Sequence, residues 1–289
     1  MTSHTLPPGW LDIDFGEALH GHVGALMSAR AGGVSVGPYA QCNLGDHVQD
    51  DAQAVAHNRR LFAQALLAQP VWMTQVHGNR VIRLTRDADF LSPQGQLAQP
   101  EADGALTTEP GLACTVMVAD CLPVLLAAPE GRGVAALHAG WRGLAGAGGM
   151  QGRGILHTGV LALCEAASCD PADLRAWLGP CIGPAHFEVG ADVLVGFGLD
   201  PQVAQGHPRF RPHVVARPVL HQVSESPALE SASPKWLADL PGLARDTLRS
   251  LAVTQVSGGT WCTVSDASRY FSFRRERVTG RQAASIWLR

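Results

Sequence analysis

The segment CTVMVADCLPVLLAAPEGRGVAALH, residues 114–138, decides the fold of this chain. Two apolar runs, 114–119 and 122–128, stand on either side of the dipeptide Asp120-Cys121, and a third apolar run follows a turn signal at 130–133. Short apolar runs that are bounded by turn residues are typical of buried strands. The segment therefore predicts three consecutive strands in a layered sheet core.

The turn signal also predicts how the last two of these strands pair. A turn centred in 130–133 places Leu125 opposite His138 and leaves Cys121 four residues farther along the same face, about 13 Å away at the usual strand rise. A bend near Pro123 would then be needed to bring Cys121 and His138 together.

Sequence periodicity predicts two elements before this segment. Apolar residues at helical spacing follow two capping carboxylates and predict a helix over 50–67. Two β-prone runs, 71–76 and 80–84, predict a hairpin whose tip is His77-Gly78-Asn79. This hairpin would place His77 at the end of a strand.

The second half of the chain predicts fewer elements. A glycine-rich turn follows the third strand and leads into a helix that ends near Ala167. Residues 235–251 predict a helix with Asp239 as its N-cap, and 284–288 predict a final strand. The stretch 196–233 is rich in Pro, His and Gly and is expected to be the least regular.

The composition fits one compact domain and argues against several classes of function. Hydrophobic residues make up 46% and charged residues 16% of the 289 residues, so the chain can bury a large core. The net charge of −3 argues against nucleic acid as a partner, and no apolar run approaches the roughly 20 residues of a membrane span. We expect a cytoplasmic protein, because residues 1–10 are expected to form a loose tail rather than a secretory signal. Most of the seven cysteines are expected to be reduced, because their number is odd and they are widely spaced. The expected fold class is α+β, as a single-domain layered α/β sandwich with mixed sheets over 1–289.

Three residues are candidates for chemistry because each stands where a strand meets a turn: His77, Cys121 and His138. Two imidazoles and a thiolate can bind Zn²⁺ and leave the fourth tetrahedral position to water, as in a catalytic zinc site. The chain has neither a CxxC nor an HExxH motif to support this interpretation. Spacing alone therefore favours the plainer alternative of two hydrogen-bonded histidines and a small buried thiol.

Nine short blocks occur in a fixed order along the chain. They are SARAGGVS at 28–35, NLG at 43–45, WMTQVHG at 72–78, ADGA at 102–105, ADCLPVL at 119–125, HAGWRG at 138–143, WLGPCIGP at 177–184, FSFRR at 271–275 and TGR at 279–281. Together these blocks resemble the laccase-domain proteins of the bacterial YfiH type. The resemblance covers nearly the whole chain, and the blocks around Cys121 and His138 are highly specific.

The resemblance implies a YfiH-like fold and a zinc-dependent purine nucleoside phosphorylase. Members of this family are described as phosphorolysing adenosine, inosine, guanosine and methylthioadenosine and as deaminating adenosine, and some are linked to peptidoglycan editing. Their older names are polyphenol oxidase and laccase. The family's metal ligands correspond here to His77, Cys121 and His138. The implied substrates are a purine nucleoside and phosphate, while the preferred nucleoside and the oligomeric state stay open.

The resemblance also implies three polar residues of the pocket, Arg30, Asn43 and Arg142. A guanidinium can hold phosphate through two parallel hydrogen bonds, and an amide can contact a ribose or a base edge. Asp120 is either a carboxylate that orients a ligand or the substrate, or a residue that stabilises a turn. A C-terminal group of arginines could form an anion site, but Glu276 interrupts the group and a solvated rim is the favoured interpretation: Arg274, Arg275, Arg277 and Arg281.

Three other functions stay open. A copper-dependent polyphenol oxidase would need several copper centres, and the chain has one His-x-His pair, His20-Gly21-His22, although copper can replace zinc in the three-residue site. A metal-free hydrolase would use Cys121 as nucleophile and His77 or His138 as base. A non-catalytic protein would use a metal for folding or regulation. The zinc deaminase signature is absent because no second cysteine follows Pro180-Cys181 at the required spacing.

Overall fold

A computed structural model describes residues 6–86, 99–204, 206–213 and 234–289. The strands are β1 Leu11–Asp12, β2 Val23–Met27, β3 Gln69–Val71, β4 Val81–Leu84, β5 Gly104–Thr107, β6 Leu112–Val118, β7 Leu122–Ala127, β8 Val134–Ala139, β9 Arg175–Leu178, β10 Glu188–Val189, β11 Phe210–His213, β12 Lys235–Ala238, β13 Gln255–Gly258 and β14 Gln282–Leu288. The α-helices are α1 Ala52–Leu66, α2 Trp141–Ala145, α3 Ile155–Ala167, α4 Ala191–Gly196, α5 Leu240–Ser250 and α6 Phe273–Glu276.

Two mixed sheets form the centre of the fold. The first has the strand order β1-β2-β14-β6-β3, and the second has the order β13-β9-β7-β8-β5-β4. A third, smaller sheet has the order β10-β12-β11. Most neighbours are antiparallel, while β3 with β6, β4 with β5 and β9 with β13 are parallel. This arrangement confirms the mixed-sheet α+β class that the sequence predicts.

The central strands are buried on both faces, which explains why their sequences are apolar throughout. In β7, Leu125 packs between the two large sheets, whereas Val124 and Leu126 pack toward α3 and α5 on the outer face. Helix α1 covers the outer face of the first sheet. Because both faces are covered, β7 and β8 lose the alternation of polar and apolar residues that a half-exposed strand would have. The layers are therefore helix, sheet, sheet, helix.

The pairing of β7 with β8 corrects the predicted register. Pro123, rather than Leu125, lies opposite His138, and Leu122 lies opposite Ala139. The prediction was wrong by two residues because the connection between the strands spans all of 128–133, where Ala128 N–H donates to the carbonyl of Gly133. Cys121 therefore directly precedes Leu122, whose partner Ala139 is the neighbour of His138 in β8. Cys121 and His138 thus lie close together without a bend at Pro123.

The predicted hairpin over 71–84 was also wrong. Strand β3 belongs to the first large sheet and β4 to the second, so residues 72–80 cross from one sheet to the other. Asp103 determines this crossing because its carboxylate accepts hydrogen bonds from the backbone N–H groups of Val76, His77 and Gly78. Those donors would otherwise be available to a β-hairpin.

The other predicted elements hold with adjusted bounds. Helix α1 begins after Asp51, whose side chain accepts from Ala54 N–H. The predicted helix before Ala167 is divided into α2 and α3 by a glycine-rich loop. The predicted helix over 235–251 is strand β12 followed by α5, with Asp239 as the N-cap. Much of 196–233 lies outside the described residues.

The N-terminal tail is ordered where the structure describes it. Residues 1–5 of the tail predicted over 1–10 lie outside the described residues. Trp10 is buried, its indole N–H donates to the carbonyl of Ala31, and its ring packs against Phe62. This part of the tail is therefore packed and not loose. In the described ranges, every helix is too short or too polar to span a bilayer.

Candidate metal centre

Three side chains with metal-binding atoms meet at one edge of the sheet sandwich. His77 lies in the crossing between β3 and β4, Cys121 in the turn between β6 and β7, and His138 in β8. Their donor atoms all lie within 4.8 Å of one another, and Cys121 Sγ is 3.6 Å from His77 Nε2. The structure thus brings together the three residues that the sequence singles out.

The separation of two of these donors matches the geometry of a bound metal ion. A tetrahedral zinc ion with bonds of about 2.3 Å to sulfur and about 2.0 Å to nitrogen keeps those two donor atoms roughly 3.5 Å apart. The separation of 3.6 Å between Cys121 Sγ and His77 Nε2 is close to this value. Imidazole and thiolate are also suitable ligands for copper. The group can therefore hold a metal ion through its own side chains.

Asp103 fixes the orientation of two of the three candidate ligands. Its side chain is fully buried, and one of its carboxylate oxygens lies 2.8 Å from His138 Nδ1. The same carboxylate accepts from the backbone N–H groups of His77, at 2.9 Å, and Gly78, at 2.7 Å. A proton on Nδ1 of His138 leaves its Nε2 free as a metal ligand. These bonds also hold His77 in a left-handed conformation, with φ of 62°, that few non-glycine residues adopt.

Asp120 fixes the turn that carries Cys121. Its φ of 94° lies in the left-handed region, and its carboxylate accepts from Thr263 Oγ1 at 2.5 Å and from Arg274 N–H at 2.6 Å. The side chain is buried. Asp120 therefore connects the Cys121 turn to the C-terminal segment that carries Arg274.

Cys121 and His138 form a strongly interacting acid–base pair. Burial disfavours the thiolate, but the His138 and His77 imidazoles outweigh burial and lower the pKa of Cys121 to about 6. Burial also disfavours the imidazolium, yet the Cys121 thiolate and Asp103 raise the pKa of His138 to about 9. In the metal-free protein the pair is therefore a thiolate with an imidazolium at neutral pH, and a metal ion would replace the imidazolium proton.

Glycine at position 140 leaves room for the side chains of two candidate ligands, His77 and Cys121. A Cβ at this position would lie 2.6 Å from His77 Cδ2 and 3.2 Å from Cys121 Sγ. The φ of −65° is ordinary for any residue, so the effect of Gly140→Ala is steric. We expect the variant to fold and to bind zinc about 10–100-fold more weakly than the native protein, as when a ligand's support is lost. Competition with a chromophoric chelator measures the affinity, and an unchanged value would contradict the packing described.

The three candidate ligands line a cavity of about 570 Å³, which we call the main cavity. Its volume lies within the range of about 300–1,000 Å³ that is usual for small-molecule sites. Eight lining residues are large and apolar, and we call them together the apolar wall: Met73, Met117, Val118, Trp141, Ile182, Phe187, Leu240 and Phe273. The polar lining consists of Asp46, His47, Thr74, Gln75, Gln99, Asp120, Arg274 and Arg281.

Two arginines, Arg274 and Arg281, line the main cavity together with the carboxylates Asp46 and Asp120. Arg274 donates to the carbonyls of His186 and Glu188, and Arg281 donates to the carbonyls of Thr279 and Gly280. Within the described ranges, neither guanidinium forms an ion pair with a carboxylate. Burial lowers the pKa of Arg281, while the nearby Cys121 and Asp120 act to raise it. An arginine side chain stays protonated in proteins. Both charges are therefore available to an anion.

The structure places Arg30 outside the lining of the main cavity. Its guanidinium donates to Glu276 Oε1 at 2.7 Å and to the carbonyl of Ala40 at 2.8 Å, and it lies over the Phe271 ring. Arg30 does not line the cavity. Its contacts instead hold the C-terminal segment that carries Arg274 and Arg281.

Asn43 and Arg142 also lie outside the cavity lining. Asn43 is buried, and its side-chain oxygen accepts from the backbone N–H groups of Gly45 and Arg281. Its amide group donates to the carbonyl of Gly45 and to Asp50. Arg142 is exposed, and its guanidinium lies 4.4 Å from the Trp141 ring centre. Asn43 thus supports the backbone at Arg281, and Arg142 covers a cavity residue from outside.

The sequence predictions gave too little weight to three residues of the site. They assigned no role to Asp103 and favoured a solvated rim over an anion site for Arg274 and Arg281. All three stand in the blocks that carry the family resemblance, at 102–105, 271–275 and 279–281. Membership in those blocks was the signal that could have identified them.

The layered sheets with a His-Cys-His group at their edge define a class of protein. Residues 24–289 match the family described as multi-copper polyphenol oxidoreductase laccase. The chain belongs to this laccase-domain family, of the YfiH type. Within the described ranges, the structure contains one group of three metal-binding side chains.

Similar proteins include two described as purine nucleoside phosphorylases. One is YfiH of Shigella flexneri, 40% identical over 271 residues, which cover 92% of this chain and 94% of that protein. The other is from Pseudomonas aeruginosa, 39% identical over 280 residues, covering 96% and 98%. Among solved structures, YlmD from Geobacillus stearothermophilus superposes with a TM-score of 0.77 at 30% identity, covering 99% of this chain and 98% of that one. A protein of Neisseria meningitidis superposes with a TM-score of 0.76 at 35% identity, covering 97% and 99%.

Proposed function

We propose that this chain is a zinc-dependent purine nucleoside phosphorylase. The observation that carries the proposal is that His77, Cys121 and His138 line a cavity together with two arginines, neither of which forms an ion pair with a carboxylate among the described residues. The names of the relatives from Shigella flexneri and Pseudomonas aeruginosa support the same activity. A metal, an anion site and an apolar wall are the three parts that phosphorolysis of a nucleoside would use.

The three ligands would hold zinc, which when bound supplies a Lewis acid that stabilises developing negative charge. Asp103 keeps His138 in the tautomer that presents Nε2 to the cavity. Asp120 holds the turn that presents Cys121. These two carboxylates thus act as positioning residues for the ligands.

Arg274 and Arg281 are proposed to bind inorganic phosphate. A guanidinium matches two phosphate oxygens through parallel N–H donors, and two guanidiniums neutralise most of the charge. Phosphate held there would attack the anomeric carbon of the nucleoside, and the bond from that carbon to the base nitrogen would break. The electron pair leaves with the base. Arg30 and Asn43 would support this step indirectly, because they hold the segment that carries both arginines.

The apolar wall would bind the purine. Phe273 is 47% exposed although it lines the main cavity, so the ring face that Arg277 does not cover would be available to stack on a base. Phe187 and Met117 lie along the same wall. An apolar wall of this kind would also accept the methylthio group of methylthioadenosine. Adenosine deamination in the same cavity would use water in place of phosphate.

Replacing the two arginines separates phosphorolysis from deamination. We expect Arg281→Ala and Arg274→Ala each to lower kcat/KM for phosphorolysis by roughly 2–4 kcal/mol of transition-state stabilisation, because charge-assisted contacts to phosphate are lost. Deamination needs no phosphate and should change much less. The assay follows release of free purine from adenosine with phosphate, and formation of inosine without it. Arg142→Ala, outside the cavity lining, is the control. Equal losses in both reactions would mean that the arginines do not bind phosphate.

One observation favours a second candidate, a metal-free Cys-His hydrolase. Cys121, His138 and Asp103 form a chain in which the His138 imidazole contacts the carboxylate at 2.8 Å and lowers the pKa of the thiol. A thiolate beside an imidazolium that a carboxylate orients is the arrangement of an activated cysteine nucleophile. Activity after removal of the metal separates this candidate from the phosphorylase. A hydrolase would keep or gain activity, since a free thiolate would be more reactive than one bound to zinc.

A further inference from the structure

A second, smaller cavity of about 220 Å³ adjoins the main cavity, and we call it the outer cavity. His47, Phe273 and Arg281 line both, so the two cavities share a wall. Arg277 lines the outer cavity but not the main cavity. A ligand in the main cavity could therefore extend past Phe273 into the outer one.

The outer cavity carries positive charge. Arg277 and Arg281 line it, and no carboxylate does so among the described residues. The nearest acidic side chain in sequence, Glu276, is already paired with Arg30 at 2.7 Å and with Arg275 at 3.3 Å. Asp46, beside His47, is paired with Arg59 at 3.1 Å. Among the described residues, Arg277 therefore has no carboxylate that pairs with it.

Three guanidiniums extend from the main cavity to the outer cavity. Arg274 lines the main cavity, Arg281 lines both, and Arg277 lines the outer cavity. Arg274 and Arg281 are enough for one phosphate, because each can contact two of its oxygens. The third guanidinium indicates a second anionic group, separate from the phosphate that acts as nucleophile.

The backbone holds Arg277 in a rare conformation at this place. Its φ of 61° and ψ of −55°, with Val278 N–H donating to the carbonyl of Glu276 at 2.7 Å, form a γ-turn of the uncommon kind. A non-glycine residue in this conformation is strained, and such strain concentrates at ligand sites. The turn places the guanidinium over the Phe273 ring, 5.8 Å from its centre.

We propose that the outer cavity binds the phosphate monoester of a 5′-phosphorylated purine nucleoside, with Arg277 as its principal contact. This inference rests on the proposed function: the base and ribose would occupy the main cavity, and the 5′-phosphate the outer one. In the reaction, an oxygen of inorganic phosphate bonds to the anomeric carbon and the bond to the base nitrogen breaks. The base leaves with the electron pair and takes up a proton. The products are ribose 1,5-bisphosphate and a free purine.

The test compares AMP with adenosine on the full-length, zinc-loaded protein. Calorimetry gives the Kd of each ligand, and purine release with inorganic phosphate gives kcat/KM. We expect AMP to bind at least about tenfold more tightly than adenosine, and Arg277→Gln to abolish this difference while adenosine binding stays unchanged. Arg249→Gln, which removes an exposed arginine on α5, is the control for a general loss of positive charge.

The outcomes separate this site from the proposed function. If AMP binds more tightly through Arg277 but neither compound is cleaved, the phosphorylase assignment fails and the anion site stands. If AMP binds no more tightly than adenosine, or if Arg277→Gln weakens both equally, the site assignment is overturned. A higher KM for inorganic phosphate in Arg277→Gln, with adenosine as substrate, would mean that the outer cavity holds free phosphate, which overturns the nucleotide assignment.

Discussion

Cys121→Ala is expected to lose nearly all bound metal and nearly all phosphorolysis while keeping its fold. Loss of a hydrogen-bond partner of a metal ligand already costs about 10–100-fold in affinity, so removal of the thiolate ligand itself should cost more. The side chain is only partly buried at the edge of the sheets, so its truncation should cost little stability. Elemental analysis, purine release and thermal unfolding measure the three quantities.

A matched variant controls for the loss of a thiol. Cys169→Ala also removes a partly buried free cysteine, from the loop after α3 and away from the main cavity. It should keep full metal content and activity. A Cys121→Ala protein that kept native metal content would refute the ligand assignment.

Treatment of the purified protein with a chelator distinguishes the candidate functions. A zinc phosphorylase should lose activity on chelation and regain it with added zinc, whereas a Cys-His hydrolase should keep or gain activity. Loading with copper tests the oxidase alternative. Two imidazoles and a thiolate bind Cu²⁺ more tightly than Zn²⁺, so phenol oxidation by the copper form alone would be a property of the substituted metal. If only the copper form were active, and neither form cleaved nucleosides, the purine assignment would fail.

The sequence predicted the elements whose structure depends on local pattern. The segment 114–138 forms three strands as predicted, because strands covered on both faces must be apolar throughout. Helix α1 was predicted because Asp51 and the apolar periodicity are local signals. In both cases the determining residues lie within a few positions of the element.

Elements that depend on distant partners were not predictable in this way. Residues 72–80 read as a hairpin, yet Asp103, more than twenty residues away, takes their backbone donors. The two cavity arginines were assigned mainly to a solvated rim because Arg274 reaches the cavity through Asp120, which lies 154 positions earlier. Periodicity carries no information about such contacts, so the candidate metal site was predictable mainly through family resemblance, and the proposed anion site was only an alternative.

Asp103→Ala is expected to destabilise the protein strongly and to weaken metal binding at the same time. Four donors point at this buried carboxylate: the N–H groups of Val76, His77 and Gly78 and the ring nitrogen of His138. Burial disfavours the carboxylate, yet His138 and the backbone donors hold the pKa of Asp103 below its usual range, so the ionised form makes these bonds. Leaving several buried donors without a partner should cost about 3–5 kcal/mol of unfolding free energy, measured by urea denaturation.

The effect on metal binding separates a positioning role from a purely structural one. Asp103→Asn keeps the volume and one acceptor oxygen but lacks the negative charge, so it should unfold less readily than Asp103→Ala and still bind zinc about 10–100-fold more weakly than the native protein. Asp246→Ala removes a partly exposed carboxylate that pairs with Arg209 at 2.7 Å, and it should cost less than about 1 kcal/mol with zinc affinity unchanged. Zinc affinity is measured in buffer without urea, at a temperature at which each variant is folded. If folded Asp103→Asn bound zinc as tightly as the native protein, Asp103 would only stabilise the crossing between the sheets. Weaker binding by a folded variant would mean that the hydrogen bond to His138 sets the strength of the metal site.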